Sequence, residues 1–150
     1  MIVNLFDLEK KFPENISEAI AGYYGSGARD EVTLKRNRSV FNEYELLPKL
    51  LRNVSTIDTS CTILDLKINF PILIAPMAMQ SMAHPDGELA TSKASKVSNT
   101  IMTLATSSNK SIEEVSPHND KLFFQLYFAK DRKITEDMLQ RCYDEKYKGN

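Results

Sequence analysis

A chain of 150 residues supplies one domain's worth of core, and 42% hydrophobic with 26% charged residues, five Gly and six Pro exclude disordered, collagenous and low-complexity classes. Nineteen basic against 20 acidic residues leave a net charge of -1. The short basic runs Lys35-Arg36-Asn37-Arg38 and Lys130-Asp131-Arg132-Lys133 are interrupted by polar residues, so solvated helix faces are favoured over a nucleic-acid groove, and partners are expected to be small molecules or proteins.

Cys61 and Cys142 stand far apart with no C-x-x-C, which suggests neither a zinc site nor a disulfide framework and fits a reducing compartment. The start, MIVNLFDLEKKF, is no signal peptide, and no run approaches about 18 apolar residues, so no membrane segment is expected. The expected location is intracellular, cytoplasmic or peroxisomal, although Lys148-Gly149-Asn150 is no peroxisomal address of the S-K-L kind.

In chain order, Leu5, Leu8 and Phe12 make a short amphipathic turn. After Pro13, Ile16, Ala19, Ile20 and Tyr23 place one apolar stripe on a helix that Gly25 or Gly27 ends. A further helix is predicted from Glu31 to Phe41. The stretch LLPKLLRNVSTIDTS, residues 46 to 60, has no clean period and reads as a connector. CTILDLKINF, residues 61 to 70, alternates about Asp65 and predicts a short hairpin or edge ribbon.

The pattern then changes. Ile72-Leu73-Ile74-Ala75, Ile101-Met102-Thr103-Leu104 and Leu122-Phe123-Phe124-Gln125-Leu126 are compact apolar runs, as in strands buried on both faces of a parallel sheet. Between and after them, Leu89, Ala90, Ala94 and Val97 predict one helix with Asp86 as N-cap. Ile112 and Val115 predict a shorter one, and Ile134, Met138, Leu139, Cys142 and Tyr143 a third. The order β-α-β-α-β-α with right-handed crossovers makes a wound parallel sheet, either an open doubly wound fold or part of a (β/α)8 barrel.

In both architectures ligands collect past the C-terminal ends of the strands, which here means Pro76 to Met79, Ala105 to Ser108, and Gln125 with Tyr127. No G-x-G-x-x-G is present, and Gly25-Ser26-Gly27 follows a helix, so a Rossmann dinucleotide site is disfavoured. The Pro76–Met79 stretch has no acid, thiol or metal cluster. Small apolar side chains and backbone suit a flat ring there, although on residue types alone a tight strand-to-helix turn is the simpler reading. His84 reads as a helix-start or surface histidine, and so, more strongly, does His118 in its polar loop.

Tyr23-Tyr24-Gly25-Ser26-Gly27-Ala28, Thr33-Leu34, Asn37, PILIAPMAMQSMAHPDGE (71 to 88), IMTLA (101 to 105) and FFQLY (123 to 127), in this order and spacing, resemble the FMN-dependent 2-hydroxy-acid oxidases of the glycolate oxidase group. The resemblance runs over essentially the whole chain. It implies an α/β fold: an N-terminal helical segment plus the first three βα units of a (β/α)8 TIM barrel, the barrel incomplete. Residues 1–150 are then a partial FMN hydroxy-acid dehydrogenase domain, with a helical segment at 1–60, a hairpin at 61–70 and the βα units at 71–150.

The resemblance further implies FMN across the C-terminal mouth and oxidation of an (S)-2-hydroxy acid to a 2-oxo acid, with hydrogen peroxide formed in the oxidases. Pro76, Met77 and Ala78 match the loop whose backbone approaches the flavin ring, and Gln125 matches an amide on its pyrimidine edge. Ala105 and Thr106 fall where the family has hydroxyl residues beside the flavin, Ala105 having lost its hydroxyl. Tyr23 and Tyr127 match two phenols of the substrate site. Ser107 stands where many glycolate oxidases carry a bulky aromatic residue.

The family's catalytic His and Arg come from late barrel strands, with a Lys near the flavin and a late glycine-rich phosphate site. None of these groups is found up to Asn150, where the fourth strand is due. The chain alone is therefore expected to be inactive, and three parallel strands cannot close a barrel. The alternative expectation is a truncated, non-enzymatic interaction module that forms oligomers or pairs with a full-length relative.

Overall fold

The computed structural model describes residues 2–11 and 16–149. They divide into two compact units, the first ending at Thr56 and the second running from Ile57 to Asn150.

The first unit is helical. Helix α1 (Leu5–Lys11) leaves Leu5 and Leu8 exposed, and Phe12 lies outside the described residues. Helix α2 (Glu18–Gly25) is capped by Ser17, whose hydroxyl accepts from Ile20 N–H (3.4 Å), as an N-cap serine should. Helix α3 (Val32–Ser39) runs on into a 3-10 turn at Val40–Glu43, close to the predicted 31–41. Gly27 is needed for packing: a Cβ there would lie 2.9 Å from Leu34 Cβ. Arg38 ties α3 to α1 through the Glu9 carboxylate (2.6 Å) and lies over the Phe6 ring. From Leu46 to Ile57 the backbone forms no helix or strand, and Leu46, Leu47, Leu50 and Leu51 are exposed.

The second unit opens with the hairpin β1 (Cys61–Ile63) and β2 (Leu66–Ile68), antiparallel with Ile63 opposite Leu66. Its two-residue loop, Leu64-Asp65, has positive φ at both positions (45° and 63°), the form that follows the right-handed twist of the strands. Ile68 is fully buried. Asn69 and Asn99 exchange backbone and side-chain hydrogen bonds, and Lys121 donates to Lys67 O (2.6 Å). These contacts fix the hairpin beside the N-terminal ends of the strands that follow.

Strands β3 (Met102–Ala105) and β4 (Leu122–Gln125) pair in parallel, Met102 opposite Leu122 through Ala105 opposite Gln125. Ile74 bridges to Met102 on one side, and Phe123 bridges to Gly149 on the other, both in parallel. The first predicted strand is thus reduced to a single bridge. The four positions follow chain order with no reversal, the neighbour relation of a barrel; an open doubly wound sheet has a switch point.

Helix α4 (Gly87–Val97), the short α5 (Ile112–Val115) and α6 (Arg132–Asp144) lie between and after the strands. Helix α5 begins with a full capping box: Ser111 Oγ accepts from Glu114 N–H (3.2 Å), and Glu114 accepts from Ser111 N–H (2.8 Å). Met102, Leu104, Leu122 and Phe124 point toward the helices and pack with Ile112, Val115, Cys142 and Tyr147. Each such burial contributes about 1.5–3 kcal/mol. Tyr147 meets Phe124 edge to face and donates its hydroxyl proton to Ile112 O (3.2 Å).

Two expectations change here. The strands are not buried on both faces, since Thr103 and Phe123 are only half-buried. The helices cover one face alone. On α4 the predicted apolar stripe is not the buried one: Val97 is exposed, while Gly87, Glu88, Ser92 and Ser95 are buried. On that inner face Ser95 Oγ donates to Ser92 O (2.8 Å) and accepts from Asn119 Nδ2 (2.7 Å).

Candidate functional site

The predicted site residues of the second unit lie where β3, β4 and the strand position at Ile74 end. After Ile74 the chain runs through Pro76 and Met77, both exposed, and the half-buried Ala78. It turns at Met79, a non-glycine residue with φ 55°, into a 3-10 turn at Gln80–Met82. Met79 N–H donates to Ser107 O (3.2 Å), so the first strand-end loop is fastened to the second.

The second loop is fastened to the third. Thr106 N–H donates to Gln125 O (3.1 Å) and makes a long contact to Gln125 Oε1 (3.4 Å). The Thr106 hydroxyl donates to Gln125 O and accepts from Tyr127 N–H (3.0 Å). Its proton is therefore spent inside the protein. Gln125 Nε2 donates to none of the described residues, and Tyr127 is exposed. Ala105 is buried at the end of β3.

Pro76, Met77, Ala78, Thr106, Gln125 and Tyr127 thus stand on one hydrogen-bonded rim. Tyr23 belongs to the first unit; it lies on α2, exposed, with its ring edge-on to Tyr24 at 5.1 Å. His84 is exposed, and its Nδ1 accepts from Asp86 N–H (3.2 Å), a helix-start role. The rim has no group poised as a base near neutral pH, but it offers a backbone ledge, amide groups and a phenol.

The sequence reading missed Glu88. This carboxylate is 0% exposed, in the first turn of α4, where a helix favours negative charge. Its Oε1 accepts from Gln80 N–H (3.2 Å) and Asn109 N–H (3.0 Å), one from each of the first two loops. Asn109 Oδ1 in turn accepts from Ser81 N–H (3.0 Å), and Thr91 donates to Gln80 Oε1 (2.5 Å). The available signal was an acid directly after Gly87 at a helix start. Gly87 has φ 45°, and a Cβ on it would lie 2.5 Å from Ser81 Oγ.

Among the described residues, no group of three or more His, Cys, Asp or Glu is placed to hold a metal ion, and no helix is long and apolar enough to cross a membrane.

Comparison with known proteins bears on this rim. The profile of the FMN-dependent dehydrogenase family matches residues 13–149. Glycolate oxidase 1 of Oryza sativa subsp. indica is 45% identical over 142 residues, covering 94% of this chain and 38% of that protein. An L-lactate oxidase of Nostoc sp. is 42% identical, covering 98% of this chain and 42% of the relative. The chain therefore spans about two fifths of the length of these curated relatives.

Among solved structures, a mandelate oxidase with (S)-4-hydroxymandelic acid superposes with a TM-score of 0.92 at 29% identity, over 97% of this chain and 41% of that one. A mandelate oxidase variant solved with an FMN adduct gives a TM-score of 0.89 at 28% identity, over 94% and 43%. With a family match across nearly the whole chain and these relatives in agreement, the chain belongs to the FMN-dependent dehydrogenase family, whose cofactor is FMN.

Proposed function

We propose that this chain is the flavin-shelf portion of an FMN-dependent (S)-2-hydroxy-acid oxidase, corresponding to the helical segment and the first three βα units of the barrel. The observation that carries the reading is the rim itself: three strand ends laced together by Met79–Ser107, Thr106–Gln125 and Tyr127–Thr106 hydrogen bonds. Such a rim matches the needs of a flat aromatic ring. Pro76, Met77 and Ala78 offer backbone and small surface for van der Waals contact, and Gln125 has a side-chain N–H not used by the described residues.

The residues present fit FMN on those grounds. Pro76, Met77, Ala78 and Gln125 would hold the ring, with Ala105 and Thr106 alongside, while Tyr127 would serve the substrate; for Tyr23, in the first unit, the substrate role rests on the family resemblance. When bound, FMN supplies a two-electron acceptor. The chain's own contribution is orientation: the Thr106 hydroxyl holds the backbone on either side of Leu126, and so sets where the Gln125 amide and the Tyr127 phenol stand. With alanine at 105, contact there is made by a methyl group.

Abstracting the hydroxyl proton needs a base and binding the carboxylate needs a cation. The rim residues Pro76 to Ala78, Ala105 to Ser107, Gln125 and Tyr127 supply neither. The purified 150-residue chain is accordingly expected to bind FMN no tighter than about 10 μM and to release no peroxide with glycolate or lactate. Flavin fluorescence quenching and a peroxide assay test this. No quenching at any FMN concentration up to about 1 mM would refute the shelf reading, and hydroxy-acid-dependent peroxide release would refute the assignment of the missing chemistry.

A second reading, an interaction module, is supported by a separate observation. Leu46, Leu47, Leu50 and Leu51 are between 85% and 105% exposed in the first unit, and the sheet of the second ends at single bridges at Ile74 and Gly149. Open edges and bare leucines favour pairing with a polypeptide that carries the later strands, such as a full-length relative. Both cysteines are free, which suits a reducing compartment, in cytoplasm or peroxisome. Co-expression with a relative and size-exclusion chromatography test the pairing; a monodisperse monomer that ignores the relative counts against it.

A further inference from the structure

We propose that Glu88 is the positioning residue of the shelf, its buried carboxylate holding the first and second strand-end loops at a fixed spacing. The inference rests on the reading of this rim as a flavin shelf for its purpose, and on the hydrogen-bond geometry for its content.

A carboxylate with no exposed surface ordinarily faces a cation. Glu88 is in none of the ion pairs among the described residues; its Oε1 faces two backbone N–H groups from different loops, Gln80 at 3.2 Å and Asn109 at 3.0 Å. Gln80 directly follows Pro76–Met79, and Asn109 follows Ala105–Ser108, so one oxygen sets the distance between the two loops. Hydrogen bonds to an ionised acceptor are roughly twice as strong as those to a neutral one. The α4 N-terminus adds its partial positive charge on the same side.

Neighbouring contacts belong to the same clamp. Ser81 N–H reaches Asn109 Oδ1 and Met79 N–H reaches Ser107 O, so the two loops meet at three levels. Gly87 makes this possible. Its φ of 45°, and the mere 2.5 Å that would separate a Cβ from Ser81 Oγ, mean that only a residue without a side chain lets α4 start against the first loop.

The arrangement is not built for stability alone. On α4, Glu88 Oε2 and Ser92 Oγ are buried without a hydrogen-bond partner among the described residues, and each such group costs free energy that an apolar inner face would avoid. Helix α4 carries that cost while offering one oxygen to two loops, which is the signature of placement.

Residue-resolved amide hydrogen exchange on the full chain tests the proposal, with Leu104 on β3 and Phe124 on β4, whose N–H donates to Gly149 O (2.8 Å), as the internal references. In E88A, exchange at Gln80 and Asn109 is expected to quicken by about thirtyfold, while the reference amides stay within about threefold. E88Q keeps an acceptor oxygen and is expected to restore protection to within about tenfold of wild type. FMN affinity, read by fluorescence quenching, should fall about tenfold in E88A and recover in E88Q. If E88A does not fold, E88D takes its place: it keeps the charge but is one methylene too short to serve both loops, so one of the two amides should lose protection.

Unchanged exchange at both amides, or a loss that runs equally through Leu104 and Phe124, overturns the proposal. Loss at both amides with FMN affinity unaltered overturns the link to the shelf. If the wild-type chain does not quench FMN, the flavin reading fails, and the exchange measurement still decides whether Glu88 holds the loops.

Discussion

Replacing Gly87 by alanine should destabilise the protein, where a glycine in the first turn of an ordinary helix would gain from the change. In a relaxed helix, Gly→Ala stabilises by about 0.5–1 kcal/mol. Here φ is 45°, and an L-residue in that region costs about 1–2 kcal/mol. The new Cβ would lie 2.9 Å from Ser81 N and 2.5 Å from Ser81 Oγ. The backbone of Ser81 must then retreat, weakening the 3.0 Å bond from Ser81 N–H to Asn109 Oδ1, for about 1 kcal/mol more. Together these effects outweigh the helix gain and predict a net loss of about 1–2.5 kcal/mol.

Urea unfolding followed by far-UV circular dichroism measures this. At a slope of about 1–3 kcal/mol/M, the midpoint should fall by roughly 0.5–1 M with the slope unchanged. An unchanged or higher midpoint would refute the reasoning, because it would mean that the close approach of α4 to Ser81 is either absent or soft.

Two further outcomes follow from the ionisable groups. Hydrogen bonding to the Arg141 guanidinium holds the Glu113 carboxyl down at about 2, against an ordinary value of 4.5. A carboxyl whose folded value is depressed stabilises the fold above its unfolded value and loses that contribution as pH falls through the folded one. The stability difference between wild type and E113Q should therefore be constant above about pH 5 and vanish on descent toward about pH 2. Both side chains are about two fifths exposed, so solvent limits the pair to at most about 1 kcal/mol; a difference that does not shrink on acidification would contradict this. Burial pushes the Cys142 thiol up to about 11, and the residue has no exposed surface, whereas Cys61 is half-buried. Iodoacetamide with mass spectrometry should label Cys61 in the folded protein and Cys142 only after denaturation, and equal labelling would overturn the packing around α6.

Much of the second unit was legible in the sequence. The apolar runs at 101–104 and 122–126 became β3 and β4 to within one residue, because hydrophobic runs between helix signals allow few alternatives. The hairpin was read from its alternation, and α5 from Ile112 and Val115. The run at 72–75 became only a bridge at Ile74, where it meets β3 at Met102. Along α4 the reading failed on burial. Periodicity ranks residues by hydrophobicity, whereas the face turned inward carries Glu88, Ser92 and Ser95, of which Glu88 accepts from the backbone of two loops.

The site divides the same way. By itself, the sequence determined that Pro76 to Ala78, Ala105, Thr106 and Gln125 fall at or just past strand ends, and motif resemblance named the flavin family to which the chain belongs. The tertiary structure alone decided how those positions are joined: Met79 to Ser107, Thr106 to Gln125 and Tyr127, and both loops to Glu88. The reason is physical. Strand positions follow from local side-chain periodicity, which the chain carries residue by residue, whereas hydrogen bonds between residues some 20 apart exist only once parallel strands set their ends side by side.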